Sequence, residues 1–141
     1  MSLPRRRLLE GLGASAALAG FASPTIAATP HNLSDLARRT FEFFWKTTNP
    51  ANGLAPDHWP SPGPCSIAAI GFALTAYPIG VENGWVSRQA ARSRVLTTLK
   101  FLHDLPQGPA REGVAGLNGF FYHFLDMQTG LRAKQCELST V

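Results

Sequence analysis

Residues 66–77 read Ser-Ile-Ala-Ala-Ile-Gly-Phe-Ala-Leu-Thr-Ala-Tyr. Apart from Ser66 and Thr75, every position is apolar or small. The spacing predicts a helix over 66–77, capped by Ser66 and ended by Pro78 and Gly80. A helix that is apolar on every side has no face to offer water, so it is expected to be buried all round. Ala68, Ala69, Gly71, Ala73 and Ala76 let neighbouring helices approach closely. This segment therefore demands a helical layer on both sides of it, within a length of 141 residues that allows one domain.

Its neighbours supply part of that layer. Leu33, Leu36, Ala37, Phe41, Phe44 and Trp45 fall at helical spacing, with Asp35, Arg38, Arg39, Glu42 and Lys46 on the other side. They predict an amphipathic helix over 33–48, capped by Asn32 or Ser34 and ended by Asn49–Gly53, whose broad aromatic stripe needs a large partner surface. Ser87 caps a third predicted helix over 88–105, with Ala91, Val95, Leu99, Leu102 and Leu105 as its stripe and His103 on its solvated side. Residues 49–64 and 106–119 are rich in Pro and Gly and read as loops. Phe120–Met127 reads as an aromatic strand, Gln128-Thr129-Gly130 as a turn and Leu131–Lys134 as the return, giving a β-hairpin. Ser139 or Thr140 then stands as a helix cap with only Val141 behind it. Three helices and a hairpin do not cover the apolar surface these segments carry. A larger helical layer with its loops gathered at one end is the expected architecture, and the chain is expected to be part of it.

Residues 1–28 stand apart. Arg5, Arg6 and Arg7 precede an apolar stretch from Leu8 to Phe21, and small residues follow up to Ala28, the layout of a cleaved export signal. The stretch is too short to span a bilayer. Arg5-Arg6-Arg7-Leu8-Leu9 resembles a twin-arginine signal, although Pro4 and Glu10 depart from that pattern. The export machinery is the expected partner, and the periplasm or the exterior the expected location. Cleavage lowers the basic count from 13 to 10 and the acidic count from 9 to 8, so net charge falls from +4 to +2. No basic run with interleaved aromatics remains, and no nucleic-acid partner is expected.

The chemistry-bearing residues lie in two places. The loop 49–64 holds Asp57-His58-Trp59, and the last segment holds Tyr122, His123, Asp126, Arg132 and Glu137. Paired carboxylates in an aromatic-lined cleft are the apparatus of glycoside hydrolysis, one protonating the leaving oxygen while the other activates water or attacks the sugar. A hairpin of the predicted size brings Asp126 and Glu137 to one mouth. Trp59, Phe121 and Tyr122 could stack on sugar faces, and His123 and Arg132 could hold hydroxyls. Each residue also has a plainer reading. Asp126 caps the turn before Gly130; Glu137 pairs with Arg132 or sits in the first turn of a following helix; the aromatics belong to the core. A Ser139–His123–Asp126 triad lacks a nucleophile elbow. No metal spacing, phosphate loop or dinucleotide fingerprint occurs, so no cofactor or metal is expected. Cys65 and Cys136 either pair in an oxidising compartment or stay as buried or free thiols.

Three stretches, 36–57 ("LARRTFEFFWKTTNPANGLAPD"), 71–102 ("GFALTAYPIGVENGWVSRQAARSRVLTTLKFL") and 119–141 ("GFFYHFLDMQTGLRAKQCELSTV"), resemble the bacterial glycoamylase-like family. That family includes endo-β-1,2-glucanases and the glycoamylase-like domain of cyclic β-glucan synthases, and the resemblance runs over residues 33–141. It implies an all-α fold, with residues 29–141 as the N-terminal portion of an (α/α)6 toroid bearing a small β-hairpin at the cleft end. It also implies an exported, monomeric hydrolase of a β-glucan, β-1,2-linked by preference, working by inversion with two acids and no metal. A non-catalytic glycan-binding or scaffold protein on the same toroid is the alternative. Glu137 matches the glutamate of the family's Glu-Leu-Ser-Thr motif. Asp126 and His123 match the motif before it, and Asp57 the acid ending the Gly-Leu-x-x-Asp stretch. The family runs on from Glu-Leu-Ser-Thr into Asp-Thr-Ala, an acid that lies beyond Val141, so residues 29–141 alone are expected to be inactive.

Overall fold

A computed structural model describes residues 30–60 and 63–139, with side chains from Leu33 onward. The export signal at 1–28 and the cap at Thr140 lie outside the described residues. The first helix begins at Pro30, so Asn32 and Ser34 lie inside it and do not cap it. The described chain runs α1 (Pro30–Thr47), β1 (Cys65–Ser66), α2 (Ile67–Glu82), α3 (Arg88–Asp104), β2 (Gly116–Leu117), β3 (Phe120–Phe121) and β4 (Phe124–Leu125).

α1 packs on α2 through its C-terminal half. Phe41 is buried, stacked on Trp45 at 5.7 Å and tilted against Trp85 at 5.5 Å. Trp45 meets Tyr77 edge-on at 5.6 Å, and the Tyr77 hydroxyl donates to Thr48 Oγ1 at 3.1 Å inside the core. α2 starts as expected: Ser66 Oγ accepts from the Ala69 amide at 3.1 Å. It does not end at Pro78. The helix carries Pro78 inside it and runs on to Glu82, closed by the Asn83 amide on the Ile79 carbonyl. Proline removes a single ladder bond, while continuation brings Gly80 against α1. A Cβ on Gly80 would lie 2.2 Å from the Phe41 ring, so this glycine sets the α1–α2 distance rather than terminating α2.

Nor is α2 buried all round. Ala69, Ile70, Ala73, Ala76 and Tyr77 are buried, but Phe72 is 65% exposed and Ile79 44% exposed. The described residues cover one face of α2 and leave the other open, as they leave Leu33 and Leu36 on α1.

α3 begins at the Ser87 cap, whose Oγ accepts from the Ala90 amide at 3.1 Å. Ala91 of its expected stripe is buried, Val95 and Leu102 are partly buried, and Leu105 packs into the core just past the helix end. Leu99 is exposed, and Thr98 is buried in its place. Thr98 Oγ1 reaches the Gly53 carbonyl at 3.3 Å and the Arg94 carbonyl at 3.0 Å. The reason is the loop beneath it. Leu54 and Ala55 are fully buried, so the turn at 49–54 is part of the core and α3 docks on it. The two Asn side chains of that turn also reach across the fold. Asn49 and Asn52 Nδ2 both donate to the Met127 carbonyl, at 3.2 and 3.0 Å.

The hairpin expected over 120–134 is divided between two sheets. β3 turns back on β2, pairing Leu117 with Phe120 through an Asn118-Gly119 turn in which both residues have positive φ. This is the residue pair a two-residue hairpin turn prefers. β4 instead pairs antiparallel with β1, setting Leu125 opposite Cys65. Only the second half of the expected hairpin survives. The Asp126 amide bonds the Leu131 carbonyl at 2.8 Å, and Leu125 bridges to Arg132.

Candidate functional site

α1 ends, α2 begins and α3 ends where the loops 48–64 and 105–139 meet, so the loops do gather at one end. There, Thr47, Pro56, Trp59, Gly63, Pro64, Asp126, Met127, Gln128, Ala133 and Lys134 enclose a groove of about 430 Å³. Trp59 is 61% exposed beside it. Asp57 and His58 are also exposed, with Asp57 Oδ2 3.6 Å from His58 Nδ1. The Asp57 amide is tied to the Pro64 carbonyl at 3.1 Å, which closes the loop that carries Trp59.

Asp126 borders this groove and also holds the turn that walls it. Its Oδ1 accepts from the Gln128 amide (3.0 Å), the Thr129 amide (2.8 Å) and the Thr129 hydroxyl (2.9 Å). The Thr129 bonds, foremost the one from its amide, hold the carboxyl below its ordinary range. Asp126 therefore stays ionised at neutral pH, which suits an acceptor or a base and not a proton donor.

Glu137 stands elsewhere. The terminal segment runs antiparallel beside 121–123: the His123 amide bonds the Glu137 carbonyl at 2.9 Å, Tyr122 bridges to Leu138, and the Ser139 amide bonds the Phe121 carbonyl at 2.8 Å. This register sets Glu137 opposite His123. Strand alternation turns both to the face away from Tyr122 and Leu138. Tyr122 is buried and belongs to the core. Arg132 lies over the Tyr122 ring at 4.0 Å and donates through Nη2 to the Cys136 carbonyl. Glu137 is exposed and forms no ion pair among the described residues. The expected pairing with Arg132 is thus replaced by an arginine that braces the strand before Glu137. The structure brings Trp59 and Asp126 to one groove and sets His123 beside Glu137, but Glu137 does not line the groove that Asp126 borders.

Sequence reasoning missed Thr47, Pro56 and Lys134 in the groove wall. Lys134 had a signal only in geometry: its φ is 61°, uncommon for a side chain of this kind. Its Nζ lies 5.6 Å from the Phe124 ring. The Asn118-Gly119 pair was a legible sign of the β2–β3 hairpin.

Cys65 and Cys136 are both free and buried, in one apolar cluster with Leu54, Ile70 and Leu125. Burial pushes the Cys65 thiol up to about 12. Cys136 Sγ sits between the Ala133 and Phe124 carbonyls at 3.4 and 3.6 Å. Both thiols are expected to resist iodoacetamide at neutral pH in the folded protein and to react fully in denaturant. Mass spectrometry reads the result, and rapid native labelling of Cys65 would contradict the burial. Among the described residues, no group of three His, Cys, Asp or Glu side chains could hold a metal ion, and no helix is long and apolar enough to cross a membrane.

No protein-family profile matches the chain. An exo-β-1,2-glucooligosaccharide sophorohydrolase (non-reducing end) of Parabacteroides distasonis is 27% identical, over 77% of this chain and 15% of its own length. Among solved structures, the endo-β-1,2-glucanase of Chitinophaga pinensis, in complex with sophorotriose and glucose, superposes with a TM-score of 0.55 at 23% identity. That match takes in 69% of this chain and 23% of the glucanase. A candidate glucoamylase of Bacteroides uniformis gives 0.58 at 26% identity, over 70% and 22%. Another from Bacteroides fragilis gives 0.57 at 25%, over 80% and 28%. The chain therefore spans 15% of the curated relative it matches and about a quarter of the solved ones. These relatives and neighbours are β-1,2-glucan hydrolases and glucoamylase-like proteins, the group that the sequence motifs resemble.

Proposed function

We propose that this chain is the N-terminal portion of an exported glycoside hydrolase that cleaves a β-glucan, with the β-1,2 linkage favoured. One observation carries the reading: a solvent-facing tryptophan groove and loop-borne carboxylates gather at one end of a chain whose curated relative is a β-1,2-glucooligosaccharide sophorohydrolase. Residues 1–28 serve as the twin-arginine export signal and direct the protein to the periplasm or beyond. The exposed faces of α1 and α2, together with the partial coverage of the solved relatives, support a longer (α/α)6 toroid of which residues 29–141 form the first part.

In this reading Glu137 is the acid/base residue. It is solvent-facing, and its backbone is clamped to His123, a strand neighbour able to share its hydrogen bonding. An inverting cleavage passes one proton to the glycosidic oxygen as water attacks the anomeric carbon from the opposite face. The water's proton goes to a second carboxylate. Asp126 is ionised but lies apart from Glu137 in the groove lining, with one oxygen committed to its turn. Its role is to shape the wall that holds the glucan with Trp59, and the second carboxylate comes from outside residues 30–139. Asp57 faces the same end as a hydroxyl acceptor.

The test is a glucan panel assayed on the full-length protein. Chain shortening is expected for β-1,2-glucan above other β-linkages, and proton NMR of the first products should show the inverted anomer. Retained configuration would remove the inverting step. Binding without turnover of any glucan would favour the non-catalytic scaffold.

A further inference from the structure

Trp59 borders a second groove. Arg39, Glu42, Phe43 and Lys46 of α1 enclose about 380 Å³ on the other side of Thr47 and Trp59, and those two residues line both grooves. The grooves thus share a wall and form one strip running from the Asp126 turn, past the indole, onto the surface of α1. We infer that the α1 groove is a second sugar subsite, which takes the next glucose unit of a β-glucan chain whose first unit occupies the Trp59–Asp126 groove.

Three features select a neutral polyhydroxylated ligand. The first is the aromatic floor. Trp59 is the most exposed tryptophan-sized surface at this end. Phe43 is half-buried and held edge-on by Phe44 at 5.0 Å, so a second ring stands fixed beside it. Flat apolar rings with a polar rim match the C–H faces of a pyranose. The second is charge. The ionic groups of the groove are already compensated: Glu42 accepts from Lys46 Nζ at 2.8 Å and from Arg38 Nε at 3.1 Å, and Arg39 Nε reaches Asp35 at 3.0 Å. Those bonds, that of Lys46 foremost, keep Glu42 ionised. A charged ligand would have to break these pairs, whereas a hydroxyl can add to them. The third is spare valence. Lys46 carries three N–H donors with one committed to Glu42, and each Glu42 oxygen retains a lone pair. That leaves donors and acceptors at the edge of an apolar floor, the mixture a sugar hydroxyl group uses.

The inference rests on the glucan reading above and is tested so that the two can fail separately. Affinities of the full-length protein for glucose and for the β-1,2-linked disaccharide are measured by calorimetry. Lys46→Ala should weaken the disaccharide roughly tenfold, the lower end for one hydrogen bond to a charged donor, and leave glucose unchanged. Trp59→Ala should weaken both. Lys46 is solvent-facing, so its removal does not threaten the fold; Glu42→Gln, which keeps shape and loses the ion pairs, gives a second reading of the same groove. Disaccharide affinity unchanged in all α1 variants, with Trp59→Ala still harmful, would overturn the second subsite and leave the glucan reading standing. Absence of binding of either sugar by the unaltered protein would overturn both.

Discussion

Replacing Glu137 by Gln in the full-length protein is expected to lower kcat on its best glucan by roughly 10²–10⁴-fold, the usual contribution of a positioned acid or base. Oligosaccharide affinity should change little. Glu137 is exposed and unpaired among the described residues, so substitution leaves no buried partner stranded. Its backbone anchors the strand register through the His123 amide, and Gln keeps that bond. Stability should therefore be unchanged, which separates a chemical role from a structural one. Asp126→Asn is the contrast. It weakens an acceptor of three hydrogen bonds in the 126–130 turn, and its effect should appear in oligosaccharide affinity and thermal stability more than in kcat. If Glu137→Gln turns over normally, Glu137 leaves the mechanism. If it neither binds nor cleaves while remaining folded, its role is substrate holding.

Gly53→Ala is expected to destabilise the protein by about 2–5 kcal/mol, the sum of a left-handed backbone penalty and overpacking. Gly53 has a φ of 77°, and a Cβ there would lie 2.0 Å from Thr98 Oγ1 and 2.7 Å from Thr98 Cα. The second distance is to helix backbone, which cannot swing aside. The loop cannot retreat either, because Leu54 is buried just beyond it and the Gly53 amide bonds the Asn49 carbonyl at 2.7 Å. The same turn places Asn49 and Asn52 on the Met127 carbonyl, so relieving the clash displaces the wall of the Trp59 groove. Denaturant melts should show a lowered midpoint. A midpoint like that of the unaltered protein would mean that α3 does not sit on this loop.

The α1 and α3 helices, with the Ser66 and Ser87 caps, were legible because they are local. Capping and apolar spacing act within four residues, and the structure reproduces both caps. The C-terminal segment was legible only in part. Phe120–Met127 is strand-like by composition, but which strand it joins depends on where the loop at 65–66 and the Asn118-Gly119 turn place their partners. Both turns are present, at Asn118-Gly119 and at Gln128-Thr129-Gly130, and composition alone did not divide the strand between them. Asp126 was read both as a catalytic acid and as a turn cap; the structure shows the cap, made through Oδ1 alone, and Oδ2 takes no part in it. Residue type sets what a carboxylate can do, and its neighbours set which of those things it does.

What the sequence by itself determined is the set of helices, the Ser66 and Ser87 caps, the aromatic and acidic inventory of the loops, and the resemblance to a glycan-hydrolysing family. These depend on contacts near in sequence or on residue identity. Only the tertiary structure decided that Thr98 and not Leu99 faces the core, and that α2 continues through Pro78 so that Gly80 meets Phe41. It also decided that Trp59 and Asp126 share a groove while Glu137 stands beside His123. Each of these is a contact between residues far apart in the chain. Such contacts are chosen by how close-packed surfaces fit, and volume and shape across the fold are not encoded in any local window.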